Sequence, residues 1–563
     1  MPMIGVISDE SERPAVEEFF QLFKTPWEFH QTGKDYAVLM TTRAAVPQGQ
    51  STLVISFASR GDIEDAIPGG PAEEAAPTIL RHQGLEIPLY CGMIPPDGGS
   101  EPILFETDCG RVAGVSNGAP RPVIRLGYNL FRETEYLLTR GQPRLFSHIP
   151  TLERHIELVR DLVVSSGIPV VEIPPVPEGH RYLACLTHDI DFLRLRDHLF
   201  DRTMAGFLYR ASLGSVVRLL QGRITAGNAM RNLAALLKLP LVHLGLCRDF
   251  WEQIPAYMEM EKDWKSTFFL IPFKAMPGTP CGDDHHCSRA TKYDVADMCT
   301  VAEALVDREF EVAVHGIDAW ENGQSAAAER NRLRECCGGP IAGIRMHWLY
   351  RNGSTFRILD EAGYSYDSSF GYNDAVGFRA GTVQAYKPLD SERLLELPLN
   401  LQDTALFYPD RMNLSEGQAA ARCESLMENS RRYGGALTLL WHDRSLAPER
   451  LWGDFYRDLL AKLKGDRAWI GPAGRAVQWF QKRRKTDIEW VTTGVGAVEV
   501  RVNGPDPGEA EEGLPGLLLR VHYMPVTKGT ASGSKQHKTC MDLPLKMNAT
   551  TRIPLHGLTE VIS

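Results

Sequence analysis

Short apolar runs with the character of β-strands recur between helical segments from about Arg181 to Gln481, and this alternation constrains the fold more than any other feature. The runs are YLACLTH, STFFLI, EVAVH, AGIRMH, YSYDSS, LLELPL and ALTLLWH. Strands that alternate with helices form parallel sheets, and right-handed crossovers allow such sheets to close into a barrel. The pattern therefore predicts an α/β fold in which seven parallel β/α units close into a barrel.

The flanking segments differ in texture and indicate two further domains. Residues 1–175 alternate apolar runs with polar turns and predict a small N-terminal α/β domain, to which no motif assigns a chemistry. The Pro-rich VEIPPVPEGH marks a boundary near Pro175, because proline interrupts helix and sheet alike. Residues 176–485 are the predicted barrel domain, with a helical insertion at about 200–248, and 486–563 predict a small C-terminal β-sandwich.

Composition excludes several classes of protein and partner. With 43% hydrophobic and 23% charged residues, the chain is typical of globular proteins. A net charge of −10 without a long basic run disfavours a nucleic-acid partner. The 11 cysteines are dispersed, which favours reduced thiols, and the first residues do not have the pattern of a signal peptide. We therefore expect a cytoplasmic protein.

Two acids separated by one residue end the first apolar run. Asp189 and Asp191 lie in LTHDIDF, at the end of a strand where β/α barrels collect their catalytic groups. Two carboxylates this close ionise together only when a cation or strong donors lie between them. For this motif alone, a solvated strand end with a capping Asp is the alternative.

Polar side chains at the ends of four further runs complete the set. EVAVHG presents His315, and GIRMHW presents Arg345 and His347 on one face, because alternate residues of a strand share a face. ELPLNLQDTALF adds Asp403 just past a strand, and ALTLLWHDRS adds His442. Acids, imidazoles and an arginine at the ends of different strands predict a mononuclear metal site with charged neighbours.

In this order the five motifs resemble the polysaccharide deacetylase family, also called the NodB-homology family or carbohydrate esterase family 4. A sub-group with the patterns THDxD, HGxxDA and RxHxL is the most similar. The resemblance covers the barrel region and implies that the barrel has the distorted (β/α)7 NodB-like form. It also implies a hydrolase that uses one divalent metal, with zinc favoured, to remove N-acetyl groups from a bacterial polysaccharide or glycan precursor.

The same resemblance implies a role for each residue. Asp189 would be the general base and Asp191 a metal ligand, as in family members that insert one residue between the two acids. Arg345 would keep the base ionised and oriented. His442 would protonate the leaving amine, with Asp403 raising its pKa.

The sequence departs from the family at one metal ligand. The second motif of the family has two histidines four positions apart, but here His315 is followed by Ala319. A catalytic zinc commonly has three protein ligands, so a substitute is needed. His347 is the favoured third ligand because it leaves the neighbouring strand on the face of the motif's arginine, and Asp318 and His188 are lesser candidates.

Two alternatives to glycan deacetylation remain. The motifs also fit a metal-dependent amidase that acts on a non-glycan amide. The altered second motif fits a catalytically inactive carbohydrate-binding protein on the same scaffold, but retention of the acid pair with Arg345 and His442 argues against it. For either glycan function, Trp348 and Trp441 are the candidate substrate-binding residues.

Two cysteine-containing segments carry weaker signals. Cys281, His285, His286 and Cys287 lie in a Pro/Gly/Asp-rich stretch without a partner pair at structural-zinc spacing, so we predict a loop and no metal. Cys336-Cys337 precede two glycines and predict a turn.

A leucine-rich helical segment, 202–248, contains seven basic residues and no acidic one. Such a segment could pack over the barrel mouth as part of the glycan groove, which we favour because it directly follows the first catalytic strand. It could also lie on an anionic membrane surface, which would make the protein membrane-associated.

Overall fold

The structure, a computed structural model, describes residues 4–43, 51–66, 77–96, 101–108, 110–117, 122–280, 289–494, 497–505, 512–524 and 539–555. The cluster from Cys281 to Cys287, for which we predicted no metal, lies outside the described residues. The chain divides into two units. The first comprises Met1–Gly179, Ala380–Gln384 and Gln478–Ser563, and the second comprises His180–Arg379 and Ala385–Val477.

The described residues contain strands in both units. They are β1 (Ile4–Ile7), β2 (Trp27–Phe29), β3 (Val38–Thr41), β4 (Leu53–Phe57), β5 (Thr78–His82), β6 (Leu85–Leu89), β7 (Ile103–Thr107), β8 (Val112–Ser116), β9 (Val123–Leu126), β10 (Val170–Glu172), β11 (Leu183–Ile190), β12 (Thr267–Leu270), β13 (Glu311–Gly316), β14 (Gly343–Met346), β15 (Tyr366–Asp367), β16 (Leu395–Glu396), β17 (Leu401–Gln402), β18 (Ala436–Leu440), β19 (Trp469–Gly471), β20 (Asp487–Gly494), β21 (Ala497–Asn503), β22 (Leu518–Tyr523), β23 (Thr539–Pro544) and β24 (Ala549–Pro554).

The α-helices connect these strands. They are α1 (Arg13–Phe23), α2 (Arg60–Ala66), α3 (Leu130–Thr139), α4 (Thr151–Ser165), α5 (Arg202–Ala211), α6 (Leu213–Leu220), α7 (Ala226–His243), α8 (Ile254–Met260), α9 (Cys299–Asp307), α10 (Gly323–Cys337), α11 (Thr355–Glu361), α12 (Asp403–Phe407), α13 (Glu416–Tyr433), α14 (Gly453–Gly465) and α15 (Ala473–Lys485). Among the described residues, no helix is both long and apolar enough to span a membrane.

The second unit is built on a parallel sheet with the strand order β16-β15-β14-β13-β12-β11-β18-β17, and β19 pairs with β11. All eight residues of β11 are buried, as expected for a central parallel strand that is covered on both faces. The registers pair Asp189 with Phe269 and Leu186 with Leu439. The mixed α/β fold with a parallel sheet that the sequence predicts is therefore confirmed, and the carboxyl ends of its strands share one edge.

The first unit contains a mixed sheet and two small antiparallel ones. The mixed sheet has the order β2-β1-β3-β4-β9-β8-β7-β5-β6, with its first five strands parallel. Strands β20, β21 and β24 form one antiparallel sheet, and β10, β22 and β23 form another. Val498, Val521 and Val171 belong to one buried cluster that both small sheets share. Because β10 pairs with β22, the C-terminal segment does not form its sheets alone.

A disulfide corrects one expectation about the cysteines. Cys299, the first residue of α9, is bonded to Cys336 near the end of α10, so these two thiols are not reduced. Cys336 and Cys337 also lie in the last turn of α10 rather than in a turn of their own. The helix ends at Gly338, which adopts φ 67°, the left-handed conformation that glycine accepts without a Cβ penalty. The dispersed positions of the cysteines in the sequence could not predict this bond, because Cys299 and Cys336 are brought together only by the packing of α9 against α10.

Candidate functional site

The candidate site lies at the carboxyl ends of β11, β13, β14 and β18. The register pairs His315 of β13 with Arg345 of β14, and β11 runs beside β18 as far as Thr187 and Leu440. Neighbouring strands are parallel, so the residues that end or follow them emerge at the same edge of the sheet. The strands therefore bring the predicted acids, imidazoles and arginine together at the carboxyl edge of the sheet.

Asp189 and Arg345 form a buried ion pair. Nη1 of Arg345 donates to Oδ1 of Asp189 at 2.9 Å and to the hydroxyl of Thr187 at 2.8 Å. Nε and Nη2 of the guanidinium donate to the carbonyl oxygen and hydroxyl of Ser368 at 3.0 and 2.9 Å. The arginine is completely buried, so both partners are held in one geometry. The second oxygen of Asp189 lies 3.7 Å from Nε2 of His315.

Asp191 faces two imidazoles across a short gap. Its Oδ1 lies 3.2 Å from Nε2 of His315 and 3.6 Å from Nε2 of His347. The three ligand atoms all lie within 4.8 Å of one another. Nδ1–H of His315 donates to the carbonyl oxygen of Arg345 at 3.0 Å, which orients the ring with its Nε2 toward the acids.

This donor set fits a divalent transition metal. Two ligand atoms bound to zinc at a tetrahedral angle are about 3.4 Å apart, and the separations of 3.2 and 3.6 Å at Asp191 are close to that value. Burial lowers the pKa of His347 to about 3, so the ring is neutral, the form that binds a metal. Burial opposes ionisation of Asp191, but a hydrogen bond from His315 and the neighbouring histidines lower its pKa. The residues could therefore hold a metal ion.

His442 and Asp403 form a second pair at the same edge. Nδ1 of His442 lies 2.6 Å from Oδ1 of Asp403, and its backbone N–H donates to Oδ2 at 2.7 Å. The hydroxyl of Ser445 also donates to Oδ2. Burial disfavours the charged imidazole, but the charge and hydrogen bond of Asp403, with smaller effects from the other acids, raise the pKa of His442 to about 10. The ring therefore carries a proton at neutral pH, and its Nε2 lies 3.8 Å from Asp191.

These groups open into one cleft of about 740 Å³. Its floor contains Asp189, Asp191, His315, His347 and His442. Its walls include Trp348, Tyr408 and Arg411, and residues at the start of α5 contribute Arg202 and Thr203. A cleft of this size accommodates a small ligand or a few sugar units.

The two candidate substrate-binding tryptophans are placed differently. Trp348 is 40% exposed and lines the cleft, in a backbone conformation with φ 68° that is unusual for a non-glycine residue. Such strain is often found at binding sites. Trp441 is completely buried and stacks on Phe455 and Tyr456 at 6.0 and 5.0 Å between ring centroids. The structure brings Trp348 to the cleft but not Trp441.

The lesser candidates for the third ligand lie away from the candidate ligand atoms of Asp191, His315 and His347. Asp318 accepts from the buried Arg289 at 3.1 Å and from the backbone N–H of Thr279 at 2.8 Å. His188 is completely buried, between the carbonyl oxygen of Trp441 at 2.8 Å and Glu261 at 3.0 Å. Only His347 of the three candidates brings a ring nitrogen to Asp191 and His315.

Several residues that support the site were not singled out from the sequence. Thr187 and Ser368 bind the guanidinium of Arg345, and Ser445 binds Asp403. Asp443 is buried beside the site; burial, with the charge of Asp191, raises its pKa to about 7. Asp443 and Ser445 lie one and three residues after His442 in HDRS, which is the one signal that could have drawn attention to them.

No protein-family model and no curated protein matches this chain. Solved structures with some similarity include a candidate polysaccharide deacetylase from Mycobacterium smegmatis, at 17% identity and a TM-score of 0.35, covering 57% of this chain and 100% of its own. A protein described as a novel carbohydrate deacetylase covers 98% of both chains at 9% identity and a TM-score of 0.36. A carbohydrate esterase family 4 pseudoenzyme from Bacillus anthracis covers 54% of this chain and 66% of its own, at 11% identity and a TM-score of 0.24.

Two of these structures bear a name of the family that the motifs suggested, and the third is described as a carbohydrate deacetylase. At TM-scores of 0.24 to 0.36 and identities of 9% to 17%, none of these structures determines the activity of this chain.

Proposed function

We propose that this protein is a metal-dependent hydrolase that removes N-acetyl groups from a polysaccharide or glycan precursor. The observation that carries the proposal is that one cleft contains three residues that could hold a metal ion, a carboxylate held by a buried arginine and a protonated histidine. Amide hydrolysis needs these three functions together: a polarised carbonyl, a base for water and an acid for the leaving nitrogen.

Asp191, His315 and His347 are the proposed ligands of one divalent metal, and zinc is the metal we favour. When bound, such a metal lowers the pKa of water and polarises the carbonyl of the acetamide group. The imidazoles are set for this task, because His315 is oriented by its bond to the backbone and burial keeps His347 neutral.

Asp189 is the proposed general base. Arg345 occupies its Oδ1 and leaves Oδ2 to take a proton from the attacking water. His442 is the proposed general acid, and Asp403 orients its ring so that Nε2 faces the acids. Transfer of its proton to the departing nitrogen breaks the amide bond and yields acetate and an amino sugar.

Trp348 is the proposed sugar-contacting side chain, since an exposed ring at a cleft wall offers a flat apolar face to a pyranose. The finer fold, a distorted (β/α)7 NodB-like barrel with a C-terminal β-sandwich, forms part of the same proposal, as does a cytoplasmic location.

The test is acetate release from a panel of N-acetylated oligosaccharides and polysaccharides, measured after the protein is saturated with zinc or cobalt and after chelation. Release that requires metal supports the proposal, and release from simple amides alone would favour the non-glycan amidase. Metal bound without any hydrolysis, or no affinity for metal, would favour the inactive carbohydrate-binding protein.

A further inference from the structure

The helices that follow the first catalytic strand expose an unusual amount of apolar surface. Among the described residues, 15 of the 21 exposed large hydrophobic side chains lie between Leu199 and Leu246. Exposed hydrophobic residues scattered singly are ordinary, but a contiguous set marks an interaction site. The apolar exposure of this protein is therefore concentrated in one segment.

Helix α7 is apolar on two opposite sides. Asn232, Ala235 and Val242 are buried on its inner side. The exposed side chains are Met230, Leu233, Leu237, Leu241 and, just after the helix, Leu244. Steps of three and four residues place this second set on one face, directly opposite the buried one. A helix that packed on one side only would carry polar residues there.

Helix α6 has its apolar side outward. Its small residues Gly214 and Ser215 are buried, whereas five larger side chains are exposed. These are Leu213, Val216, Val217, Leu219 and Leu220. We call the exposed apolar side chains of α6 and α7, from Leu213 to Leu244, the outer leucine face.

The charge around the outer leucine face is positive. Residues 202–248 contain seven basic residues and no acidic one, in a chain whose net charge is −10. Arg202, Arg223, Arg231 and Lys238 are exposed. On α7, Arg231 and Lys238 lie along one border of the apolar stripe, since each directly follows a residue of that stripe, Met230 and Leu237 respectively.

We propose that the outer leucine face docks on the surface of an anionic lipid bilayer. A bilayer supplies both an apolar layer for the leucines and negative headgroups for the flanking arginines and lysine. A second copy of this chain fits less well, because a symmetric contact between two such faces would bring like charges together. The bilayer is the partner that satisfies both properties of the face.

Docking would also position the cleft. Arg202 and Thr203, in the first turn of α5, line the cleft, and α5 packs against α6 and α7. A protein held by this segment would present its cleft to glycans near the membrane. This last consequence rests on the proposed function, whereas docking itself does not, so binding to vesicles is measured without substrate.

The experiment is flotation of the full chain with vesicles of phosphatidylcholine alone and with vesicles that contain phosphatidylglycerol. We expect the parent protein to bind the anionic vesicles at least tenfold more tightly, and less tightly as salt is added. The double variant Leu233→Glu/Leu237→Glu should lose binding by tenfold or more. Both side chains are exposed, so the variant should fold, which circular dichroism and its melting temperature verify.

Matched variants separate the causes. Leu145→Glu replaces a leucine that is 73% exposed but lies far outside the segment in sequence, and it should bind vesicles like the parent. Arg231→Gln/Lys238→Gln should reduce the preference for anionic over neutral vesicles. Equal binding to both vesicle types, absence of binding, or a parent dimer that Leu233→Glu/Leu237→Glu converts to a monomer in light scattering would overturn the proposal.

Discussion

The carboxylate of Asp403 holds His442 through two separate bonds: one from the ring at 2.6 Å and one from the backbone N–H at 2.7 Å. Because ring and backbone are bound to the same group, the imidazole has little freedom to turn. The acid therefore controls both the orientation of His442 and its charge, and each can be tested.

Asp403→Asn should shift the pH dependence of turnover. The parent His442 has a pKa of about 10, raised against burial by Asp403, and keeps its proton across the neutral range. Without the negative charge the pKa falls, so the ring loses its proton at lower pH and kcat should fall by about 10- to 100-fold at alkaline pH. The pH profile of kcat and an NMR titration of the histidine check this. Ser445→Ala, which removes only a hydrogen bond to Asp403, should shift the profile less.

Asp189→Asn should separate metal binding from turnover. The variant keeps Asp191, His315 and His347, so its metal content by elemental analysis should equal that of the parent. Loss of the base should lower kcat by about 10²- to 10⁴-fold. Loss of metal in this variant would show that both acids are ligands or that their roles are reversed.

His347→Ala should weaken metal binding by roughly tenfold or much more. Even the loss of a residue that only hydrogen-bonds to a metal ligand lowers metal affinity by roughly 10- to 100-fold. Titration of the metal-free protein with cobalt, followed by its visible absorption, measures the affinity. Asp318→Asn is the control, since Asp318 is engaged by Arg289 and lies away from the ligand atoms. Parent-like affinity in His347→Ala would end the assignment of the third ligand.

Trp348→Ala and Trp441→Phe should differ in their effect on KM. Removal of the exposed ring at the cleft should raise KM for a glycan by roughly 3- to 10-fold, the range for loss of one aromatic contact. Trp441→Phe should leave KM unchanged, because the side chain is completely buried. An equal rise in KM in both variants would indicate that the substitutions act by disturbing the packing of the sheet and not by removing a contact with the glycan.

Glu153→Gln should change how stability depends on pH. Burial raises the pKa of Glu153 to about 7, so its contribution to stability is present below about pH 4.5 and is lost as pH rises through 7. The free energy of unfolding of the variant minus that of the parent should therefore be more positive at pH 8 than at pH 5, by roughly 1–3 kcal/mol. Oε1 accepts from Thr382 and Val383, bonds that glutamine can keep. Urea unfolding at both pH values tests this.

The strands of the parallel sheet could be predicted because buried parallel strands must be apolar along their length, and polar residues at their ends stand out against that pattern. Asp189, His315, Arg345 and His442 were chosen as candidates in this way. Burial of Trp441 was not foreseeable, since it depends on the residues of α14 that pack against it. The bond from Cys299 to Cys336 depends in the same way on the packing of α9 against α10.

The segment Ala380–Gln384 interrupts the sequence of the second unit but belongs to the first. Thr382 and Val383 donate to the buried carboxylate of Glu153, and the backbone N–H of Leu152 donates to the carbonyl oxygen of Gly381 at 2.7 Å. A chain trimmed to 176–485 would keep these five residues while discarding their partners. Because the first unit consists of three separate stretches of sequence, no single truncation point separates it from the second unit. A truncated protein would also need a redesigned segment around Thr382.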